Sequence, residues 1–409
     1  MTTLKKTSIG KYELFIIITM FIAYGMVFME RFALSYVAPM VMSDLGMNNT
    51  QLGLTMSLLA VSWGISSLVF SVLSDVLNAR KKVLVVLILI FSVASIGSGL
   101  ATSFAFLLVT RIIMGIAEGP VNPLAQTFTN IEVAPSRRGF CMGLVQSSSN
   151  LVGTSFAAVL VIGLATSFGW RSAFYILAVP GLVLAVIFMR FLKEPNAKLD
   201  TGEKIPKPSL QSYLTTLKTH NIWICLIMTM GMMGWWMTSM TYFSVYLDQV
   251  NGFGAAQTAT FLLVFGISNF VSNWLLPMIS DRVGRKPVAI GASFMTFVST
   301  LVVLYIHSFA LATALLGIIL VFSAGYAPLC LSIIPSESVP RENMTSALGL
   351  LVFGGEILAS ATVITFAGVM ADKYGVSAAF VVASVSAFVA LAASFLLKET
   401  APVKLAKKE

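Results

Sequence analysis

Glu30 and Arg31, Arg111 and Glu118, and Glu356 are ionisable residues set in stretches otherwise apolar enough to cross a bilayer. On insertion scales each charge near the bilayer centre costs about 2.5–3.5 kcal/mol, so five unpaired side chains facing lipid would cost about as much as a fold's whole stability. They must face one another or a wet cavity, and such residues mark substrate or proton pathways. Arg31 is the first candidate for binding. Its guanidinium is permanently charged and presents a planar fork that matches a carboxylate with two hydrogen bonds. Tyr24, Phe28 and Ser35 share its helical face and suit a polar organic anion. The alternative is an arginine that only ties helices together. Glu30 lies about 100° around the helix and points to a different neighbour, which makes it a proton-site candidate.

Glu118 follows Arg111 by seven residues, so the two share a face, and Gly115-x-x-x-Gly119 lets another helix approach there. A carboxylate in an apolar span favours its proton unless a cation is near. An arginine that binds either substrate or carboxylate can therefore couple the two. A static ion pair with Arg31 or Arg111 is the competing reading. Glu356, in Gly354-Gly355-Glu356, lies 206 residues after Asn150. It could be a third protonation site, a partner for substrate hydroxyls, a sign of an amine-bearing substrate, or structural. Gln146 and Asn150 share a face of span five and are candidate hydroxyl binders, or polar contacts between helices. Trp235 and Trp236 are candidates for a cavity wall, or pack against neighbouring helices.

The elements that position these residues follow from composition. Hydrophobic residues make up 57% of the 409, charged residues 11%, and mean hydropathy is +0.90, which excludes a soluble globule. Apolar stretches mark twelve spans, at 14–42, 52–74, 83–103, 105–130, 140–168, 173–192, 222–247, 256–279, 288–307, 310–334, 346–371 and 377–397. With both termini inside, the inner segments carry 22 of the 26 basic residues. That asymmetry is the positive-inside pattern, so the net charge of +9 reflects topology and gives no sign of nucleic acid. Lys5, Lys6 and Lys11 precede an apolar run too long for a signal core, so the first span is expected to stay in the protein.

An internal repeat organises the chain. Asp75 and Asp281 stand 206 residues apart in loops of like composition, and Pro135 and Pro340, like Pro123 and Pro328, stand 205 apart. Two homologous six-span halves, 1–192 and 221–409, are joined by a polar linker at 193–220. Such parallel halves place a site between them at mid-depth.

The loop Asp281-Arg282-Val283-Gly284-Arg285-Lys286 resembles the signature of the major facilitator superfamily; its first-half copy at Asp75 has Val76 for the arginine and one residue inserted before Arg80. Gly284 suits a tight turn, while Asp and Arg can pair with each other and with helix ends, so Asp75, Arg80, Asp281, Arg282 and Arg285 are expected to form a cytoplasmic gate. The first-half lock is then looser, or uses Arg80. Within that superfamily the chain is similar to the anion:cation symporters, which carry hexonates, hexuronates and related anions. Glu30-Arg31 and Arg111-x-x-x-Gly115-x-x-Glu118-Gly119-Pro120-x-x-Pro123 carry the likeness, supported by Pro135-x-x-Arg138-Gly139 and Gly169-Trp170-Arg171-x-x-Phe174. Ile131-Glu132 departs from it, because the family often has an aromatic residue just before that proline. The resemblance implies proton coupling at Glu30 and Glu118.

An enzyme would need a nucleophile or metal constellation, yet the two histidines, His220 and His307, fall at span edges and the three cysteines lie within spans. A multidrug antiporter shares the fold, but its Gly-Pro signature late in span five is missing and Arg31 disfavours cations. The expectation is an all-α membrane protein of two pseudo-symmetric six-helix bundles. It would import a small organic anion, such as a sugar acid or other monocarboxylate, with protons and with no cofactor or metal. It is expected to be monomeric, in a bacterial inner membrane with both termini cytoplasmic. An organic anion exchanger, or a drug/proton antiporter, is the alternative.

Overall fold

The computed structural model describes residues 10–77, 79–134, 137–195, 219–323, 326–340, 344–401 and 404. Lys5, Lys6, Asn78, Pro135, Arg341 and nearly all of the expected linker lie outside them, as do the side chains of Asp75 and Glu356. Among the described residues there are twelve helices long and apolar enough to cross a membrane. They are α1 (Lys11–Tyr36), α2 (Asn49–Phe70), α3 (Arg80–Gly99), α4 (Phe104–Glu132), α5 (Arg138–Phe168), α6 (Trp170–Phe191), α7 (His220–Gln249), α8 (Ala255–Val283), α9 (Arg285–Tyr305), α10 (Phe309–Ser338), α11 (Ala347–Tyr374) and α12 (Ser377–Ser394). The first expected span ran to residue 42. The helix instead ends at Tyr36, and a short one, Ala38–Leu45, starts with Pro39 in its first turn, where a missing N–H costs nothing.

Within each half the connections are short, so successive spans alternate in direction. One end of the bundle then carries the start of α1 and the end of α12 (the terminal face), and the other carries the start of α2 and the end of α11 (the far face). The first six spans pack mainly as α2 on α4 and α3 on α6, and the last six as α7 on α12 and α9 on α12. The halves meet along α2 with α11, α5 with α8, and α1 with α7.

Gly115 and Gly119 make the α2–α4 contact possible. A methyl group on Gly115 would overlap the Leu59 carbonyl and the Ser62 hydroxyl, and one on Gly119 would overlap the Trp63 carbonyl and the Ser66 hydroxyl. Backbone-to-backbone approach of this kind is how helices gain packing energy in lipid, where no hydrophobic drive separates them from solvent.

Several spans are not regular. α4 breaks at Gly119-Pro120, between Phe104–Glu118 and Val121–Glu132. α5 is π-helical over Leu151–Phe156, α10 over Leu329–Ile333 and α11 over Phe353–Ala359. In α5 the widened turn is held by Thr154 and Ser155, whose hydroxyls donate to carbonyls five residues back, at Ser149 and Asn150. Gly153 in that turn lies against Phe28 of α1, and the Tyr36 hydroxyl donates to its carbonyl at 3.0 Å. Such interruptions cluster at functional sites because they free backbone groups or re-aim side chains.

The terminal-face loops brace each half. Arg285 donates to Asp281 at 2.6 Å and to Glu337 at 2.9 Å, so Asp281 pairs with the residue one turn on, while Arg282 is exposed. Gly284 takes φ of +116° at the turn, as its place in the loop demands. Glu399, just after α12, accepts the backbone N–H of Arg285 at 2.7 Å and of Lys286 at 3.2 Å, capping the start of α9. Glu194, 205 residues earlier, accepts from Arg80 at 2.6 Å and Lys81 at 3.0 Å in the same way at the start of α3. Arg137 pairs with Glu13 at 2.7 Å. Each of these described bonds stays within its own half, so they stiffen the halves as units.

Two outcomes test this packing. Gly115→Val should lower the apparent melting temperature in detergent, since overpacking costs about 1–3 kcal/mol, whereas Gly163→Val, with open space around the added atoms, should not. An unchanged Gly115→Val protein would contradict the α2–α4 contact. Burial alone would raise the Glu399 carboxyl, but backbone N–H groups of Ala401, Arg285, Lys286 and Thr400 hold it below the usual carboxylate range. The cap therefore stabilises fully above the ordinary glutamate value of about 4.3 and is lost as pH falls through the lower folded value. Glu399→Gln should melt below the parent protein at pH 7, and the gap should close in strong acid.

Candidate functional site

Four of the five intramembrane ionisable residues meet in the first half, each almost wholly out of solvent: Glu30 and Arg31 are 1% exposed, Arg111 and Glu118 0%. The helical step separates the first two as expected. Glu30 turns inward to α3, α4 and α6. One carboxylate oxygen accepts from the Ser95 hydroxyl at 2.6 Å, and Ser95 is also 3.0 Å from the Phe174 carbonyl. Arg111 donates to the Glu30 backbone carbonyl at 3.1 Å and lies over the Phe174 ring at 4.8 Å. Phe174, from the Gly169-Trp170-Arg171-x-x-Phe174 segment, thus meets Arg111 through its ring and the Glu30 partner Ser95 through its carbonyl. The rest of that segment is a far-face anchor: Arg171 and the Trp170 indole N–H both donate to Asp44, at 2.5 and 3.2 Å. Asp44 is held below the usual carboxylate range by Arg171.

Arg31 turns outward to α2 and to the second half. Its guanidinium lies over the rings of Trp63 at 5.1 Å and Phe28 at 5.7 Å, and reaches Met237 Sδ of α7 at 3.9 Å. Glu118 ends the first part of α4 at the Gly119-Pro120 break, and neither carboxylate oxygen has a hydrogen-bond partner among the described residues. Arg31, Glu30 and Arg111 are the charges within its electrostatic reach. Among the described residues no ion pair joins Glu118 to either arginine, so the static pair weighed from the sequence is not formed here. Two of the Arg111 nitrogens, Nε and Nη2, are likewise without a hydrogen-bond partner. Glu30, Arg111 and Glu118 thus sit beside Arg31 with polar atoms that have no hydrogen-bond partner among the described residues, an arrangement suited to exchanging partners.

A cavity of about 590 Å³ lies between the halves on the terminal-face side of Arg31. Tyr24, Phe28, Gln146, Asn150 and Trp235, all expected site residues, line it. Gln146 donates to the Tyr24 hydroxyl at 3.2 Å and accepts from Gln126 at 3.1 Å, a polar chain along the first-half wall. Arg31 itself is not among the lining residues. It sits behind Phe28 and Trp63, which are. Glu356 lies on the π-helical turn of α11, next to the lining residue Gly355.

Sequence reasoning missed Trp63, Asn122, Asn269, Asn273 and Trp274, which also line the cavity. Asn269 and Asn273 carried a signal, being amides one turn apart in an apolar span. Trp63 carried none, since a tryptophan in a span is ordinary packing material. Trp236, weighed with Trp235, bridges the halves, with its ring 5.5 Å from Phe32 and 6.2 Å from Phe28. No described residue lining the cavity is charged, so the nearest described cation to its far-face end is Arg31.

The sequence profile described as Major Facilitator Superfamily matches residues 20–363 and, in a second alignment, 279–409. The chain is 27% identical over 296 residues to a hexuronate transporter of Bacillus subtilis, covering 70% of this chain and 68% of that one. It is 27% identical to a probable sulfoacetate transporter of Cupriavidus necator, over 65% of this chain and 64% of the relative. It is 23% identical to a probable 4-methylmuconolactone transporter of Cupriavidus pinatubonensis, over 84% and 80%. Among solved structures, a bacterial homologue of the human lysosomal transporter Spinster superposes with a TM-score of 0.76 at 16% identity, covering 94% of this chain and 97% of that one. The nucleoside transporter NupG gives 0.76 at 15%, covering 94% and 98%. These two likenesses show the fold. Together with the profile match over most of its length, they establish that the chain belongs to the major facilitator superfamily and is a transporter.

Proposed function

We propose that the protein imports a small organic monocarboxylate, a sugar acid or a related acid, together with protons by alternating access. The observation that carries this reading is a buried arginine behind the aromatic wall of a cavity that is otherwise uncharged among its described lining residues. One guanidinium suits one carboxylate, and aromatic rings with amides accept a neutral body that carries hydroxyl or carbonyl groups. Asn122, Asn269, Asn273, Gln146 and Asn150 supply such amides. Relatives named for a hexuronate and for sulfoacetate are transporters of organic anions, which agrees with this chemistry.

In this reading the carboxylate passes between Phe28 and Trp63 to reach Arg31. Arg31 then acts on both substrate and Glu118: with the anion in place, Glu118 loses the electrostatic support of Arg31 and takes a proton, and when the anion leaves, that support returns and the proton is released. Glu30, hydrogen-bonded to Ser95 and electrostatically tied to Arg111, would be the second proton carrier. With its basic residues, the terminal face would lie in the cytoplasm under the positive-inside rule, in a bacterial inner membrane, with a monomer as the working unit. The Asp281 and Asp75 loops would set the rigid units that separate as the inner mouth opens.

Arg31→Ala should weaken binding of galacturonate, or whichever hexonate or short carboxylate proves active, by about 30-fold or more, the effect of removing one partner of a buried charge pair. Arg31→Lys should fall between, because it keeps the charge and loses the fork. Isothermal titration of purified protein measures both. Glu118→Gln should still exchange substrate in counterflow yet fail to concentrate it against a gradient. Accumulation by Glu118→Gln would sink its proton role, and full binding by Arg31→Ala would sink the anion reading.

A further inference from the structure

The hydrogen bonds described between the two halves lie at mid-depth or at the far face, and the largest group of them converges on one side chain. Asp372, near the end of α11, accepts from the start of α2 in the other half. Its Oδ1 takes the Asn49 backbone N–H at 2.8 Å and the Asn49 side-chain amide at 3.0 Å. Its Oδ2 takes the Thr50 backbone N–H at 2.8 Å and the Thr50 hydroxyl at 2.5 Å. The first N–H groups of a helix have no partner within it and carry the positive end of its dipole. Asn48 and Gln51 form a local capping box at this start, the Asn48 N–H donating to Gln51 at 3.0 Å and the Gln51 N–H to Asn48 at 2.8 Å, and a carboxylate from the opposite half takes the N–H groups of Asn49 and Thr50.

The backbone around the cap is shaped for it. A methyl group on Gly53 would meet the Tyr242 hydroxyl and the Ile364 carbonyl at 2.5 and 2.8 Å, and one on Gly368 would meet the Asn49 carbonyl and the Tyr242 hydroxyl at 2.6 Å each. Tyr242, fully buried in α7, donates to the Asn49 carbonyl at 3.0 Å, so both polar groups of the Asn49 backbone are held by the other half. The corresponding start of α8, 206 residues on, has the matching local bond, from the Gly254 N–H to Gln257, but among the described residues no bond from the other half reaches it. Both starts share the local bond, and the one at α2 is additionally capped across the halves.

We infer that Asp372 is the latch of the far mouth: its carboxylate caps α2 across the halves when that mouth is closed and must release both N–H groups for it to open. Asp372 touches no described wall of the cavity, so it acts on the balance between the two conformations and not on substrate. The inference rests on the alternating-access reading.

Spin labels at Thr102→Cys and Ser308→Cys, exposed far-face positions in opposite halves, report the mouth in the full chain in nanodiscs without substrate, with Cys141, Cys225 and Cys330 replaced by Ala. Asp372→Ala should raise the ratio of long to short label distances by about tenfold, the effect of losing a charge-assisted cap, and Asp372→Asn, which keeps one acceptor oxygen, by less. Gly53→Leu, which drives a side chain into the same contact, should also lengthen the distance. If Gly53→Leu opens the mouth and Asp372→Ala leaves the parental distribution, Asp372 is not the latch and alternating access stands. If neither substitution moves the labels, the far mouth does not open and both readings fail.

Discussion

A charge taken out of water must find another charge or a fixed dipole, and four such residues sit between the first six helices of this protein. The rest of the first half can be read as the means of holding them. The close α2–α4 contact at Gly115 and Gly119 brings Trp63 and Ser66 to the level of Glu118. Ser95 from α3 and Phe174 from α6 occupy Glu30 and Arg111. The π-helical turn of α5 lets α1 approach at Gly153. None of these contacts gives every charge a full set of partners, and Glu118 has no hydrogen bond among the described residues. Incomplete satisfaction is costly in a static structure, because a buried polar group without a partner loses its hydration for nothing. It is useful in one that must pass protons and anions between groups.

The second half contributes differently. Its described cavity wall is amide, thioether and indole: Asn269, Asn273, Met232, Met233, Trp235 and Trp236. Matching residues recur in the two halves at a 205–206 residue offset, yet among the described side chains the buried charges gather in the first half and the second supplies a neutral surface. Binding across such a division makes the substrate itself the link between halves, and a ligand can move a conformational equilibrium only through contacts that differ between its states. The terminal-face ion pairs of Arg285 and Arg137 keep to their own halves, which lets each half move as a unit.

Much of this was legible in the sequence. The twelve spans follow from hydropathy, the two halves from the repeat, and the divergence of Glu30 and Arg31 from helical geometry alone. Gly115 and Gly119 were readable as a close contact because small residues four apart in a span have few other uses. The Glu194 and Glu399 caps were also within reach, since they lie 205 residues apart and each closes a Leu-Lys-Glu triplet just after a span, but glutamate after a helix is too common to single out without knowing which helix start lies beside it. Trp63 and Asp372 could not be found. Their importance comes from what another helix brings to them, and neither residue type nor spacing records a contact between α2 and α11. Arg31 stood out from its charge and depth, yet its seat behind Phe28 and Trp63, and not on the cavity surface, depends on side-chain packing that periodicity does not specify.

The central claim is that an organic anion and a proton move together. It is tested most directly by loading purified protein into liposomes with an internal pH dye and adding a hexonate, a hexuronate, a short carboxylate and a lipophilic cation in turn. The account predicts internal acidification with one class of acid and none with the cation. Silence with every acid, combined with exchange of preloaded anion, would contradict proton symport, and a response to the cation alone would contradict the assignment of Arg31.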